Sequence, residues 1–159
     1  GAPIAGEIWQ VTINGLDPFT HEVRSGDVLN VDDSGDSTAN TGTLTDRFGF
    51  RTNSGRWHNG LDIASVKNAP VSAADSGFVT FAGWTDVGYG NLVVIDHRNG
   101  YETRYAHLQA FFVTAGQSVG QGTVIGTMGS TGNSSGPHVH FEISHKGVRK
   151  NPEMYLPSH

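Results

Sequence analysis

The sequence contains no cysteine. Disulfides, cysteine nucleophiles and Cys-rich zinc sites are therefore excluded, and any transition metal must be held by histidine and carboxylate. Basic residues are also scarce: ten Lys and Arg against fifteen Asp and Glu give a formal net charge of −5. Phosphate backbones are bound by clustered cations, and these ten are scattered, so no nucleic-acid partner is expected. No apolar stretch approaches the roughly 20 residues a membrane helix requires, and no segment shows sustained helical periodicity. The opening residues 1–6, Gly-Ala-Pro-Ile-Ala-Gly, lack the basic and long apolar regions of a signal peptide. This implies a leader already removed or a piece of something larger. Glycine, by contrast, is abundant, at 22 of 159 residues, and it separates short strand-like runs with turns. The length fits one catalytic domain with room for an appended segment.

Two strand-like runs, residues 7–13 and 27–31, lie near the front with Asn14-Gly15 and Ser25-Gly26 as turn signals. Residues 32–42 follow, acidic, small and without large apolar side chains, as a surface linker is composed. A boundary at 42 leaves a small N-terminal β extension of unknown role, residues 1–42, ahead of a domain over 43–159. His21, alone in that extension, reads as a surface residue. From Leu44 onward come short strands at 77–82, 91–96, 101–106, 111–113 and 123–127. Residues 96–100, ending in Asn99-Gly100, join two of them in a tight hairpin, which puts His97 in a solvated turn. The fold class is all-β, a compact barrel or sandwich of short, mostly antiparallel strands.

Residues 136–143, Gly-Pro-His-Val-His-Phe-Glu-Ile, alternate polar and apolar side chains. In a strand, Val139, Phe141 and Ile143 point into a core, while His138, His140 and Glu142 share an exposed face, the two histidines about 6–7 Å apart. Upstream, His58 and Asp62 flank Asn59-Gly60. Fully extended, they would stand ~13 Å apart, too far for one ion, so the chain must bend at Asn59-Gly60. His58 then comes from a loop and Asp62 from the start of a strand. His107 ends a third strand. Together these residues supply a two-His, one-Asp zinc site with two imidazoles to spare, an inventory suited to metal-assisted hydrolysis. The strand pattern leaves open which of His138 and His140 would bind the metal.

The ordered motifs Arg47-Phe48-Gly49-Phe50-Arg51, His58-Asn59-Gly60-Leu61-Asp62, Gly88-Tyr89-Gly90-Asn91, Tyr105-Ala106-His107-Leu108, residues 126–132 and residues 136–142 resemble the lysostaphin-type zinc metalloendopeptidases, which cut peptide bonds in bacterial peptidoglycan. The resemblance implies a barrel of the duplicated-hybrid-motif type and one Zn²⁺ per chain. It also implies His58, Asp62 and His140 as metal ligands and His107 and His138 as the catalytic pair. Tyr89, between two glycines, is a possible substrate contact. The implied partner is a peptidoglycan peptide, met by a monomer outside the cell, in the cell envelope or on a bacteriophage particle. A binding or activating module that keeps the barrel without catalysis is the alternative, although no ligand of the pattern is lost. Residues 1–42 match nothing in the family pattern.

Overall fold

The structure, a computed structural model, describes residues 42–155. The front extension and its strand-like runs, together with His21, lie outside those residues. Strands β1 (Thr43–Asp46), β2 (Gly49–Arg51), β3 (Arg56–His58) and β4 (Leu61–Ala64) lead to β5 (Pro70–Ser72), β6 (Gly77–Thr85) and β7 (Gly90–Asp96). They continue through β8 (Tyr101–Phe111), β9 (Ser118–Val119), β10 (Val124–Met128), β11 (His138–His145) and β12 (Val148–Lys150). A 3₁₀ turn at Pro152–Met154 is the one helical element among the described residues.

Ten of these strands form one sheet, ordered β1-β4-β11-β8-β7-β6-β9, with β10 joining β5 and β8 and β12 beside β11. The pairs are antiparallel. β2 and β3 make a separate hairpin. The His-x-His strand β11 is therefore central, held by β8 along one edge and by β4 and then β12 along the other. Its apolar residues behave as the alternation requires: Val139, Phe141 and Ile143 are wholly buried in a core shared with Leu61, Ile95, Tyr105, Leu108, Ile125 and Met128. The opposite face carries a smaller apolar pad, Leu92, Val94 and Ala106, on which Tyr89 packs.

Three expectations are corrected here. First, the strand carrying His107 does not end at that residue. β8 runs on to Phe111, leaving Phe112 and Val113 outside any strand, because β10 pairs with Leu108, Ala110 and Phe111 and extends the ladder. Second, His97 is buried rather than solvated, bonding Ser76 O at 2.7 Å and Thr103 Oγ1 at 2.9 Å. The β7–β8 turn itself forms as expected, with His97 N–H donating to Tyr101 O, but it folds back onto neighbouring elements. Third, the polar face of β11 is not open to solvent: His140 and Glu142 are buried.

Candidate active site

Backbone register brings the ligand-type residues together before side chains are considered. Asp62 of β4 pairs with His140 of β11, which pairs on its other flank with Ala106 of β8. Directly opposed residues of antiparallel strands share a face, so Asp62 and His140 project side by side. His58 arrives from the end of β3, a short strand rather than a loop, through the expected bend at Asn59-Gly60. Gly60 does more than bend. A Cβ there would lie 2.2 Å from the carbonyl oxygen of Phe141, so only glycine lets the start of β4 lie against β11.

The donor atoms converge tightly. His140 Nδ1 lies 2.7 Å and His58 Nε2 3.1 Å from Asp62 Oδ1, and the two ring nitrogens are 3.1 Å apart. The outer atom of each ring is already committed. His58 Nδ1 lies 2.8 Å from Arg47 O, and His140 Nε2 lies 2.9 Å from Glu142 Oε1. A carbonyl or carboxylate oxygen can only accept, so each outer nitrogen carries the proton and, in the neutral rings, both inner nitrogens are bare lone pairs. Two lone pairs at 3.1 Å cannot bond each other; a proton on one ring or a metal ion between them satisfies both. Two imidazoles, one carboxylate and outer hydrogen bonds that fix the tautomers are the donor set that suits zinc, and His58, Asp62 and His140 form a group able to hold an ion.

Charge reinforces the arrangement. Burial alone would raise the Asp62 pKa, but hydrogen bonds from His140 and His58 outweigh it and hold the carboxyl well below the usual range. Its other oxygen, Oδ2, is 3.1 Å from Arg51 Nη2, which also pairs with Asp46 Oδ2 at 2.5 Å. Burial pulls the His140 pKa down, yet hydrogen bonds to Asp62 and Glu142 prevail and raise it to about 9.

His107 and His138 stand beside this group, their ring centroids 4.6 Å apart. His107 has φ +61°, a left-handed conformation uncommon for a residue with a Cβ. It sits where β8 carries one residue more than β7 between the pairs Asn91↔Leu108 and Val93↔Tyr105. This bulge breaks the alternation: Tyr105 and Leu108 both face the core, and His107 is re-aimed into the cleft. Its N–H donates to Tyr89 O and its Nδ1–H to Thr131 O at 2.7 Å. His138 directs Nδ1 at Gly136 O, 2.9 Å away, with Ser134 Oγ at 3.2 Å. Each ring thus leaves Nε2 for the cleft. Burial, together with the like charges of His138 and His140 and despite the Thr131 carbonyl, lowers the His107 pKa to about 4. The ring is neutral at pH 7 and able to accept a proton at Nε2.

All six residues named from the sequence, Tyr89 among them, line one cleft of about 550 Å³, shared with Trp57, Val87 and Asn133. Tyr89 donates its hydroxyl to Glu142 Oε1 at 2.7 Å, with its ring 5.9 Å from that of His140. Sequence reasoning placed Glu142 on the histidine face without assigning it a role, and it missed the ion-pair contributions of Arg51 and Arg149. Strand alternation signals Glu142. The two arginines meet their partners by strand pairing: Arg149 reaches Glu142 across the β11–β12 hairpin, and Arg51 reaches Asp46 and Asp62 from the β2–β3 hairpin.

Residues 56–152 match the model of peptidase family M23. The chain is 45% identical over 120 residues to the DD-carboxypeptidase/endopeptidase Mpg of Neisseria meningitidis serogroup B, a match covering 72% of this chain and 27% of that protein. It is also 45% identical over 100 residues to the murein hydrolase activator NlpD of Escherichia coli, covering 63% of this chain and 26% of the relative. The chain thus spans about a quarter of the length of these curated relatives. Among solved structures, the catalytic domain of the antimicrobial peptidase lysostaphin from Staphylococcus simulans superposes with a TM-score of 0.67 at 31% identity, over 72% of this chain and 92% of that domain.

Proposed function

The chain belongs to peptidase family M23, and from that premise we propose that it is a zinc-dependent endopeptidase hydrolysing peptide bonds of bacterial peptidoglycan, in stem peptides or cross-bridges. The observation that carries this reading is the convergence of His58 Nε2, His140 Nδ1 and Asp62 Oδ1 within 3.1 Å of one another. The family is zinc-dependent. His58, Asp62 and His140 would hold one Zn²⁺ per chain. When bound, zinc supplies Lewis acidity that lowers the pKa of a water to about 7 and polarises a carbonyl oxygen. His107 and His138 do the proton work at their Nε2 atoms. His107, neutral at working pH, accepts a proton, and the pair steadies negative charge developing on the scissile oxygen.

In this reading the catalytic domain spans residues 43–159, acts as a monomer in the envelope or outside the cell, and carries residues 1–42 as a separable extension. Deleting 1–42 leaves a folded, zinc-loaded domain; an insoluble or metal-free truncation would show that the extension completes the barrel.

A second reading, an activator that binds the wall without cutting it, is favoured by the identity to NlpD. Zinc content, measured with digestion of purified cell walls of different cross-bridge chemistry, separates the two. The peptidase releases new peptide ends, identified by mass, that disappear with a chelator and return with zinc. A protein that binds walls and releases no ends is the activator.

A further inference from the structure

Glu142 is 1% exposed, yet it is an ionisable group with no water to solvate it. A lone carboxylate in such a place is costly unless every oxygen is met. Here each is. Oε1 accepts from His140 Nε2 at 2.9 Å and from the Tyr89 hydroxyl at 2.7 Å. Oε2 lies 2.7 Å from Arg149 Nε. These partners come from separate elements: Tyr89 precedes β7, and Arg149 lies on β12, where its register partner is Ser144 of β11. In a strand, residues two apart share a face, so Ser144, Glu142 and His140 lie on one side of β11 and Arg149 joins them from the neighbouring strand.

The consequence falls on the His140 ring. An imidazole can present either nitrogen to an ion, and the choice is made by whatever fixes the other. Glu142 takes the Nε2–H, so Nδ1 faces Asp62 and His58. The carboxylate can do this only while it is itself held, and Arg149 and Tyr89 are what hold it. Arg149 also balances its charge, so the buried pair brings no net charge to the ligand group.

We infer that Arg149, Glu142 and Tyr89 form a positioning unit that fixes the His140 ring with Nδ1 toward Asp62 and His58 and thereby sets how tightly the site holds zinc. Tyr89 then acts through Glu142, its one hydroxyl proton given to that carboxylate. The inference rests on the metal reading of the site. It reaches beyond that reading to a residue on β12, outside the histidine motifs.

The test uses the full chain as parent and as the variants Tyr89→Phe, Arg149→Lys, Arg149→Met and Glu142→Gln, with the Arg149→Met/Glu142→Gln double. Zinc affinity is measured by competition with a chromophoric chelator, the ligand field by the visible absorption of the Co²⁺-loaded protein, and the fold by thermal melting without metal. Glu142→Gln turns an amide N–H₂ toward the guanidinium, so it and Arg149→Met should each weaken zinc binding roughly 10- to 100-fold and shift the Co²⁺ spectrum. Arg149→Lys should keep more affinity than Arg149→Met, and Tyr89→Phe should lose less than Glu142→Gln. The double should lose less than the product of its singles, since removing Arg149 relieves the donor–donor clash. If Glu142→Gln does not fold, Tyr89→Phe and Arg149→Lys, which change half-buried side chains and keep their size, carry the test. Variants that hold zinc as tightly as the parent with an unchanged Co²⁺ spectrum overturn the positioning unit. A parent that binds no zinc overturns instead the metal reading beneath it.

Discussion

His97 and His140 are equally buried, each 8% exposed, yet their surroundings differ in kind. Around His97 every polar atom finds a protein partner. Nδ1–H is given to Ser76 O, and Nε2 meets the Thr103 hydroxyl, whose oxygen lies 3.0 Å from the Tyr105 hydroxyl. Tyr105 in turn accepts from Ala74 N–H at 2.8 Å. One neutral imidazole completes that chain, and burial keeps it neutral, lowering its pKa against the pull of the Ser76 carbonyl. Around His140 the partners instead turn two imidazole nitrogens and a carboxylate oxygen onto one point. A network that closes on itself specifies structure, whereas one that leaves acceptors converging is unfinished without an ion.

Breaking the unfinished network should have the largest effect. His58→Ala, Asp62→Ala and His140→Ala are each expected to release zinc and abolish hydrolysis, with metal content read by elemental analysis of the purified protein. An Asp62→Ala protein that still carries one tightly held zinc sinks the ligand set. Next come the imidazoles beside it. His107→Ala and His138→Ala should retain zinc near the parental content while turnover on a defined peptide drops roughly 10²- to 10⁴-fold. Because both would act on the same charge development, the double variant should lose less than the product of the two single losses. A His138→Ala enzyme that keeps parental turnover, or loses its zinc, contradicts the division of labour.

The same contrast shows what was legible in the sequence. The cleft was readable because its residues sit on patterns with local meaning. Alternation over 138–143 is obeyed, with Val139, Phe141 and Ile143 in the core, and the bend at Asn59-Gly60 follows from two residues suited to it. The His97 network was misread because a turn signal describes only the local chain. Ser76, whose carbonyl takes the His97 Nδ1–H, is brought to that turn by the pairing of β6 with β7. The bulge at His107 was invisible for a related reason: it exists only as a mismatch of count between β7 and β8. Arg149 reaches Glu142 across the hairpin that pairs β12 with β11, and β12 is a strand that sequence reasoning did not assign. The close approach of Gly60 to Phe141 O is likewise a property of two strands together.

If the His97 network is structural, opening it should cost stability and leave the cleft chemistry intact. Tyr105→Phe removes the hydroxyl that joins Ala74 N–H to Thr103 in a wholly buried position. Leaving a buried donor unmet costs about 1–3 kcal/mol. The loss should appear in denaturant unfolding of the zinc-loaded protein, with kcat unchanged. A Tyr105→Phe enzyme of parental stability but reduced kcat would reverse the assignment of the two regions.

The smallest effect, and the most specific, is in pH. The pKa of His97 is lowered in the folded chain, while the unfolded chain has the ordinary value of about 6.5. Between those two values the unfolded chain binds a proton that the folded chain refuses, so stability must fall as pH drops. Above pH 6.5 the contribution is complete. It is lost progressively as pH falls from 6.5 to the folded pKa, below which both states are protonated and the loss levels off. One proton corresponds to a slope of at most about 1.4 kcal/mol per pH unit. Other groups titrate in the same range, including His107, so the parent's profile alone does not isolate His97. The difference between parent and His97→Gln does, because contributions common to both cancel. Unfolding free energies measured from pH 7.5 downward should show His97→Gln less stable at the upper end, for want of a well-fitted bond to Thr103, with the gap narrowing below pH 6.5. Parallel profiles over that range would mean that His97 takes up its proton equally in both states, and that the network around it does not depend on a neutral ring.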